Sequence, residues 1–250
     1  DGTNLVPNFA GGTSLNMGPN GSAAGINLGT NAGSTNFAGL AINTQTANGF
    51  VANNAGTLTV TGAGNSVVTT TGQILSITNT AVGATDVNFN VLSASGVVSG
   101  NAMTLSNVDN NDVNISNFTL NNGATGDGIN VNTGSSTNVN INTATINNTT
   151  GDGVELNGST GSFSIVTGNI GNTNDPGGDT VHINGGTGAV DIDANLFKST
   201  SGHIVEVSNH TTGTVSFGGS INATGGVSNG ILLNSSSGNI EFTNGTKVLN

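Results

Sequence analysis

Short runs in which apolar and polar residues alternate recur along most of the chain, at a nearly fixed interval. Apolar positions that open such a run fall at Phe50, Leu75, Met103, Ile129, Val154, Val181, Val205 and Ile231, 24–28 residues apart. Two residues on stands a second apolar position: Ala52, Ile77, Leu105, Val131, Leu156, Ile183, Val207 and Leu233. The residue between is mostly polar, and in-out-in is the period of a β-strand. Each interval holds a second alternating pair: Leu58/Val60, Val87/Phe89, Val113/Ile115, Val139/Ile141, Phe163/Ile165, Val190/Ile192, Val215/Phe217 and Ile240/Phe242. A third, shorter apolar signal follows at Leu120, Ile146, Ile170, Phe197 and Ile221, and less regularly at Val67, Val97 and Val248. No segment shows apolar residues at helical spacing, and the many Gly and Asn residues disfavour helix.

Three short strands per repeat stack as a coil in which each strand pairs in parallel with its counterpart about 4.8 Å away. The predicted fold is therefore all-β: a right-handed parallel β-helix of about eight regular coils, the hand following from the rule for parallel crossovers. It spans residues 47–250. Residues 1–46 read as irregular coils or a cap, with Leu15/Met17 and Ile26/Leu28 as inward pairs. The chain opens at Asp1 and closes on a third strand, "TKVLN", which points to a processed product or a piece of a longer chain.

The corner before each first strand has its own pattern. Two residues ahead of the strand start stand Asn48, Gln73, Asn101, Asp127, Asp152, Asp179, His203 and Asn229, all polar. The preceding residue is always small, giving "GDG" at 126–128 and 151–153. Gly permits the bend and the polar side chain bonds backbone groups of the turn. Three residues after the strand start Asn53, Asn132, Asn157, Asn184 and Asn234 share a column, where stacked amides can bond from coil to coil.

Composition narrows the function. The formal net charge is −11 with only two cationic side chains, Lys198 and Lys247, which leaves nothing to neutralise phosphates. Nucleic acid is excluded as a partner on that ground. No apolar run is long enough to span a membrane, so no membrane span is predicted. Cysteine is absent, so no disulfide scaffold holds the chain together.

The corners, alternating strands and Asn column make residues 47–250 resemble the right-handed parallel β-helices of large secreted bacterial surface proteins, namely adhesins, autotransporter passengers and pectate-lyase-like repeats. The resemblance implies an extracellular, cell-surface location and, with the uninterrupted repeat, a structural or adhesive rod. Such a rod associates with itself end to end or belongs to a longer parent chain, and it contacts a host or matrix surface or a polysaccharide. The alternative is a polysaccharide-binding or pectinase-like β-helix. The segments "NTND" (172–175), "GGD" (177–179) and "SGHI" (201–204) follow the order of acids and histidine in polygalacturonases. The paired Asp and the Arg-Ile-Lys of those enzymes are missing, and Trp and Tyr, the usual sugar platforms, are absent.

Two constellations carry candidate chemistry. Asp127, Asp152 and Asp179 hold one corner in three successive coils, so their carboxylates are candidate ligands for calcium bridging the coils. Glu155, His182 and Glu206 share the outward column of the first strand beside Asp152, Asp179 and His203. Carboxylates and imidazoles this close can bind a metal or simply form a solvated face in which His separates two acids.

Overall fold

The computed structural model describes residues 8–9, 13–16, 25–30, 32–225 and 228–250, the first two segments by backbone alone. Among the described residues there is no helix, and all strand pairing is parallel. The fold is a β-solenoid. Nine first-face strands stack in one ladder, from Ile26–Leu28 through Phe50–Ala52 to Ile231–Leu233. The register is that of the sequence pattern: Ile129 lies against Met103 and Val154, and Leu156 against Val131 and Ile183. The ladder also runs N-terminal of Phe50, because Ile26, Phe37 and Ile42 pair with Phe50, Val60 and Val67. Strand Thr13–Asn16 pairs with Leu40–Asn43, while Met17 and the side chain of Leu15 lie outside the described residues.

Alternation is why these segments are strands. In Val154–Asn157 and Val181–Asn184 every second side chain is buried and the one between is half-exposed. The buried ones form a single narrow core along the solenoid axis. Aromatic rings pair within it at two places. Phe50 meets Phe37 and Phe89 edge-on at 5.7 and 5.8 Å, and Phe217 stacks on Phe242 at 5.2 Å.

The structure corrects the register at four places, one of them in the last third-face strand, where Lys247, not Val248, lies over Ile221. Both Leu58 and Val60 are buried, but Val60, not Leu58, lies over Val87; Leu58 faces Val82. The 28-residue coil carries its extra residues in that interval, where the register breaks and Asp86 takes a positive φ of 64°. In the third face, Leu92 is buried whereas Val97 is 48% exposed. Finally Leu196, not Phe197, packs inward against Ile170 and Ile221. Ile165 is five residues ahead of Ile170, but Ile192 only four ahead of Leu196, so the shorter bend reverses the alternation. Lys198 thereby occupies an inward position and is 1% exposed.

The side-chain amide ladder forms, but in a different column. Asn140 donates to Asn114 at 2.9 Å and Asn114 to Asn88 at 3.0 Å, on the outward side of the second face, and Ser164 extends the row. A neighbouring row links Asp112, Asn138 and Ser162. In the column after the first strand, Thr78 donates to Asn53 at 2.9 Å and Asn209 reaches Asn184 from the following turn. Those strand-ending positions otherwise meet at the bend through backbone bonds such as Gly158 N–H to Asn184 O, 2.8 Å.

Leu156 tests the core. Truncating a buried Leu costs about 2–5 kcal/mol, and an unpaired carboxylate in the same place adds a desolvation cost. Leu156→Asp is therefore expected to lower the thermal midpoint sharply or prevent folding; an unaltered melting curve would show that Leu156 does not point inward.

Candidate metal-binding corner

The corner and the first outward strand position together form a grid of paired residues, one pair per coil: Asp127/Asn130, Asp152/Glu155, Asp179/His182 and His203/Glu206. The corner column is held by a repeated bond. Asn101 Oδ1 accepts the Asp127 N–H at 2.8 Å, Asp127 Oδ1 the Asp152 N–H at 2.8 Å, Asp152 Oδ1 the Asp179 N–H at 2.6 Å, and Asp179 Oδ1 the His203 N–H at 2.6 Å. Each bond gives a stacked acid a backbone donor, which offsets the repulsion expected between like charges.

The same bond explains the small residue ahead of each Asp. A Cβ on Gly126, Gly151 or Gly178 would lie 2.2 Å from the oxygen of Asn101, Asp127 or Asp152 one coil back. None of the three has a positive φ. The requirement is room for a neighbour's oxygen, a different reason from the bend that the sequence suggests.

The three aspartates do not gather into one group of close ligand atoms. Two other groups do, each with ligand atoms within 4.8 Å of one another: Asp152, Glu155 and His182, and Asp179, His203 and Glu206. His182 Nδ1 is 3.2 Å from Asp152 Oδ2, and its Nε2 is 3.8 Å from Glu206 Oε1. His203 Nδ1 lies 3.3 Å from Glu206 Oε2 and 3.5 Å from Asp179 Oδ1. These side chains are half-buried, 12–25% exposed. Either group could hold a metal ion.

The electrostatics follow from crowding. Burial, then contact with Asp127, raises Glu155 to about 7. The hydrogen bond to Asp152 raises His182 to about 9 against its burial. Burial also raises Asp179. Asn130 sits among these acids, 5% exposed, donating from Nδ2 to Asp127 Oδ2 at 2.7 Å and to Glu155 Oε2. Its Oδ1 is buried without a hydrogen-bond partner. The sequence marks Asn130 only as a polar spacer; nothing in the pattern signals its burial.

A second polar cluster, unforeseen in the sequence, surrounds Lys198. Its Nζ donates to the carbonyls of Pro176 and Gly178, the latter at 2.5 Å, and to Thr200 Oγ1 at 3.2 Å, and lies 3.6 Å from Asp175 Oδ2. Burial lowers the lysine's pKa and the nearby acids oppose that. Asp175 accepts from the backbone and hydroxyl of both Ser199 and Thr200, at 2.6–2.9 Å. Burial alone would raise its pKa; these bonds together hold it well below the usual carboxylate range. The cluster ties the 172–178 turn to the next coil.

No known protein family, curated protein or solved structure matches the chain.

Each cluster generates a measurable outcome. Gly151→Ala displaces the Asp127 oxygen and is expected to cost about 1–3 kcal/mol, the range for overpacking, read as a lower urea midpoint at unchanged slope. Asp175 has a depressed folded-state pKa, so its contribution is complete above the unfolded value near 3.9 and is lost as pH falls below it. Wild type should lose stability between pH 5 and pH 2 more steeply than Asp175→Asn; parallel curves would remove Asp175 from the account.

Proposed function

We propose that the chain is a structural rod segment of the kind found in secreted bacterial cell-surface adhesins, lengthened by end-to-end stacking of further coils. The observation that carries this reading is the uninterrupted parallel ladder of nine first-face strands, in which every coil repeats the contact made by the one before. Among the described residues the coil of Ile231–Asn234, Ile240–Phe242 and Lys247–Leu249 is paired on one side, which leaves the other side able to take a further coil. Leu233 and Leu249 there are 48% and 49% exposed, whereas their partners Val207 and Ala223 are buried. Open parallel edges with apolar side chains are templates for another strand. A coil added in the same register, from a second copy, would repeat the contact the molecule already makes internally. Such a contact is heterologous and does not close, so it builds filaments.

The polysaccharide alternative has one observation in its favour. Phe197 faces outward, half-buried, in a depression also lined by Asn172, Asp175 and Asn222. An aromatic face beside polar groups suits a sugar ring. One such residue is a small platform, and the rod reading accounts for more of the surface.

Light scattering over a concentration series, with electron microscopy of the same samples, separates the two. Stacking predicts mass that grows with concentration and filaments of constant width, both abolished by Leu233→Asp with Leu249→Asp. A protein that stays monomeric throughout refutes self-stacking. Saturable retention on an immobilised polysaccharide that Phe197→Ala removes would favour the alternative.

A further inference from the structure

We propose that Asp152, Glu155 and His182 form a binding site for a divalent transition-metal ion of the zinc type, which ties two adjacent coils together at the corner. Three independent features of the geometry lead there.

The first is the donor set. One imidazole nitrogen and two carboxylates offer ligand atoms within 4.8 Å of one another, from two neighbouring coils. Zinc takes His nitrogen and carboxylate oxygen at about 2.0–2.2 Å, so a small closing movement of these half-buried side chains completes the contact. An imidazole favours zinc or its neighbours over calcium, which takes oxygen alone.

The second is Asn130. It is 5% exposed, and its head group is wedged between Asp127 and Glu155, yet its Oδ1 has no partner. A buried acceptor left unpaired costs free energy. Its Nδ2 holds one oxygen each of Asp127 and Glu155, so a ligand carboxylate is fixed in place from behind at the cost of that unpaired oxygen.

The third is the outer contact of the histidine. With Nδ1 toward Asp152, Nε2 faces Glu206 Oε1 at 3.8 Å. A ligating histidine ordinarily turns its second nitrogen to a carboxylate, which fixes its tautomer and orientation. Glu206 stands in that place, and it belongs to the following coil, so the site would engage three coils in succession. Glu206 is therefore a positioning residue and Asp152, Glu155 and His182 are the ligands.

The experiment uses the whole chain, stripped with chelator and dialysed, then titrated with ZnCl2 or CaCl2 at matched ionic strength. Calorimetry should show one zinc ion per chain. A hundredfold excess over the dissociation constant should raise the melting temperature by about 5 °C or more, with calcium giving neither effect. His182→Gln should weaken zinc binding about tenfold or more, with its melting temperature in chelator near that of wild type. Should that variant fold poorly, the ring signals of His182 in wild type provide the second readout, and zinc should shift them ahead of those of buried His210. The proposal is overturned by an absence of zinc heat, by calcium acting as strongly as zinc, by His182 signals that stay put, or by binding that survives His182→Gln. Binding lost only in His203→Gln also overturns it, because the ion would then sit in the neighbouring group.

Discussion

Every strand in this solenoid finds its backbone partners one coil away, so the register between successive coils is the constraint on which the rest depends. Parallel pairing of three faces supplies the satisfaction of backbone groups that a thin core needs, and it places like residues over like residues. A slip of one residue would turn every buried Val, Ile and Leu of a coil outward. Register is accordingly reinforced outside the ladder as well. The corner column locks each coil to the next through a side-chain oxygen on a backbone amide, from Asn101 through Asp127, Asp152 and Asp179 to His203. The Asn88–Asn114–Asn140 row does the same on the second face by amide-to-amide bonds.

Stacking like over like also explains the charge cluster. Elsewhere in the corner column the neutral Asn48 and Asn101 make the joint, but across three coils acids fill it. An Asp accepts the next amide as well as an Asn does, and it leaves a second charged oxygen over. In Asp127 that oxygen meets Asn130, and in Asp152 it meets His182. The raised pKa values of Glu155 and His182 are the same crowding seen from the two sides of the charge: an acid pushed toward its neutral form and a base held in its charged one.

Most of the fold is legible in the sequence because β-alternation has a period of two and each coil repeats the test. The first-face positions, from Phe50 to Ile231, stand in the predicted register. The errors cluster where one bend changes length: the interval before Val87, the loop holding Val97, and the four-residue step from Ile192 to Leu196. A single residue reverses the parity, and a turn's length is not written in the apolar pattern. Lys198 shows the result most clearly. A lysine reads as a surface residue, and only the shortened bend reveals that it points inward. The candidate site was legible in its residues but not in its grouping. Stacking implies that Asp127, Asp152 and Asp179 are neighbours; it does not show that the acids divide between two histidines. Asn130 carried no signal, since its burial comes from the side chains around it.

The seclusion of Lys198 has a consequence for proteolysis. Trypsin-like proteases cut after Lys or Arg, and this chain has no Arg and two Lys. One of them is 1% exposed in the core and roofed by the 176–178 turn. The other lies in the final strand, Lys247–Leu249. The folded chain therefore leaves that whole class of enzymes one half-buried site, at Lys247.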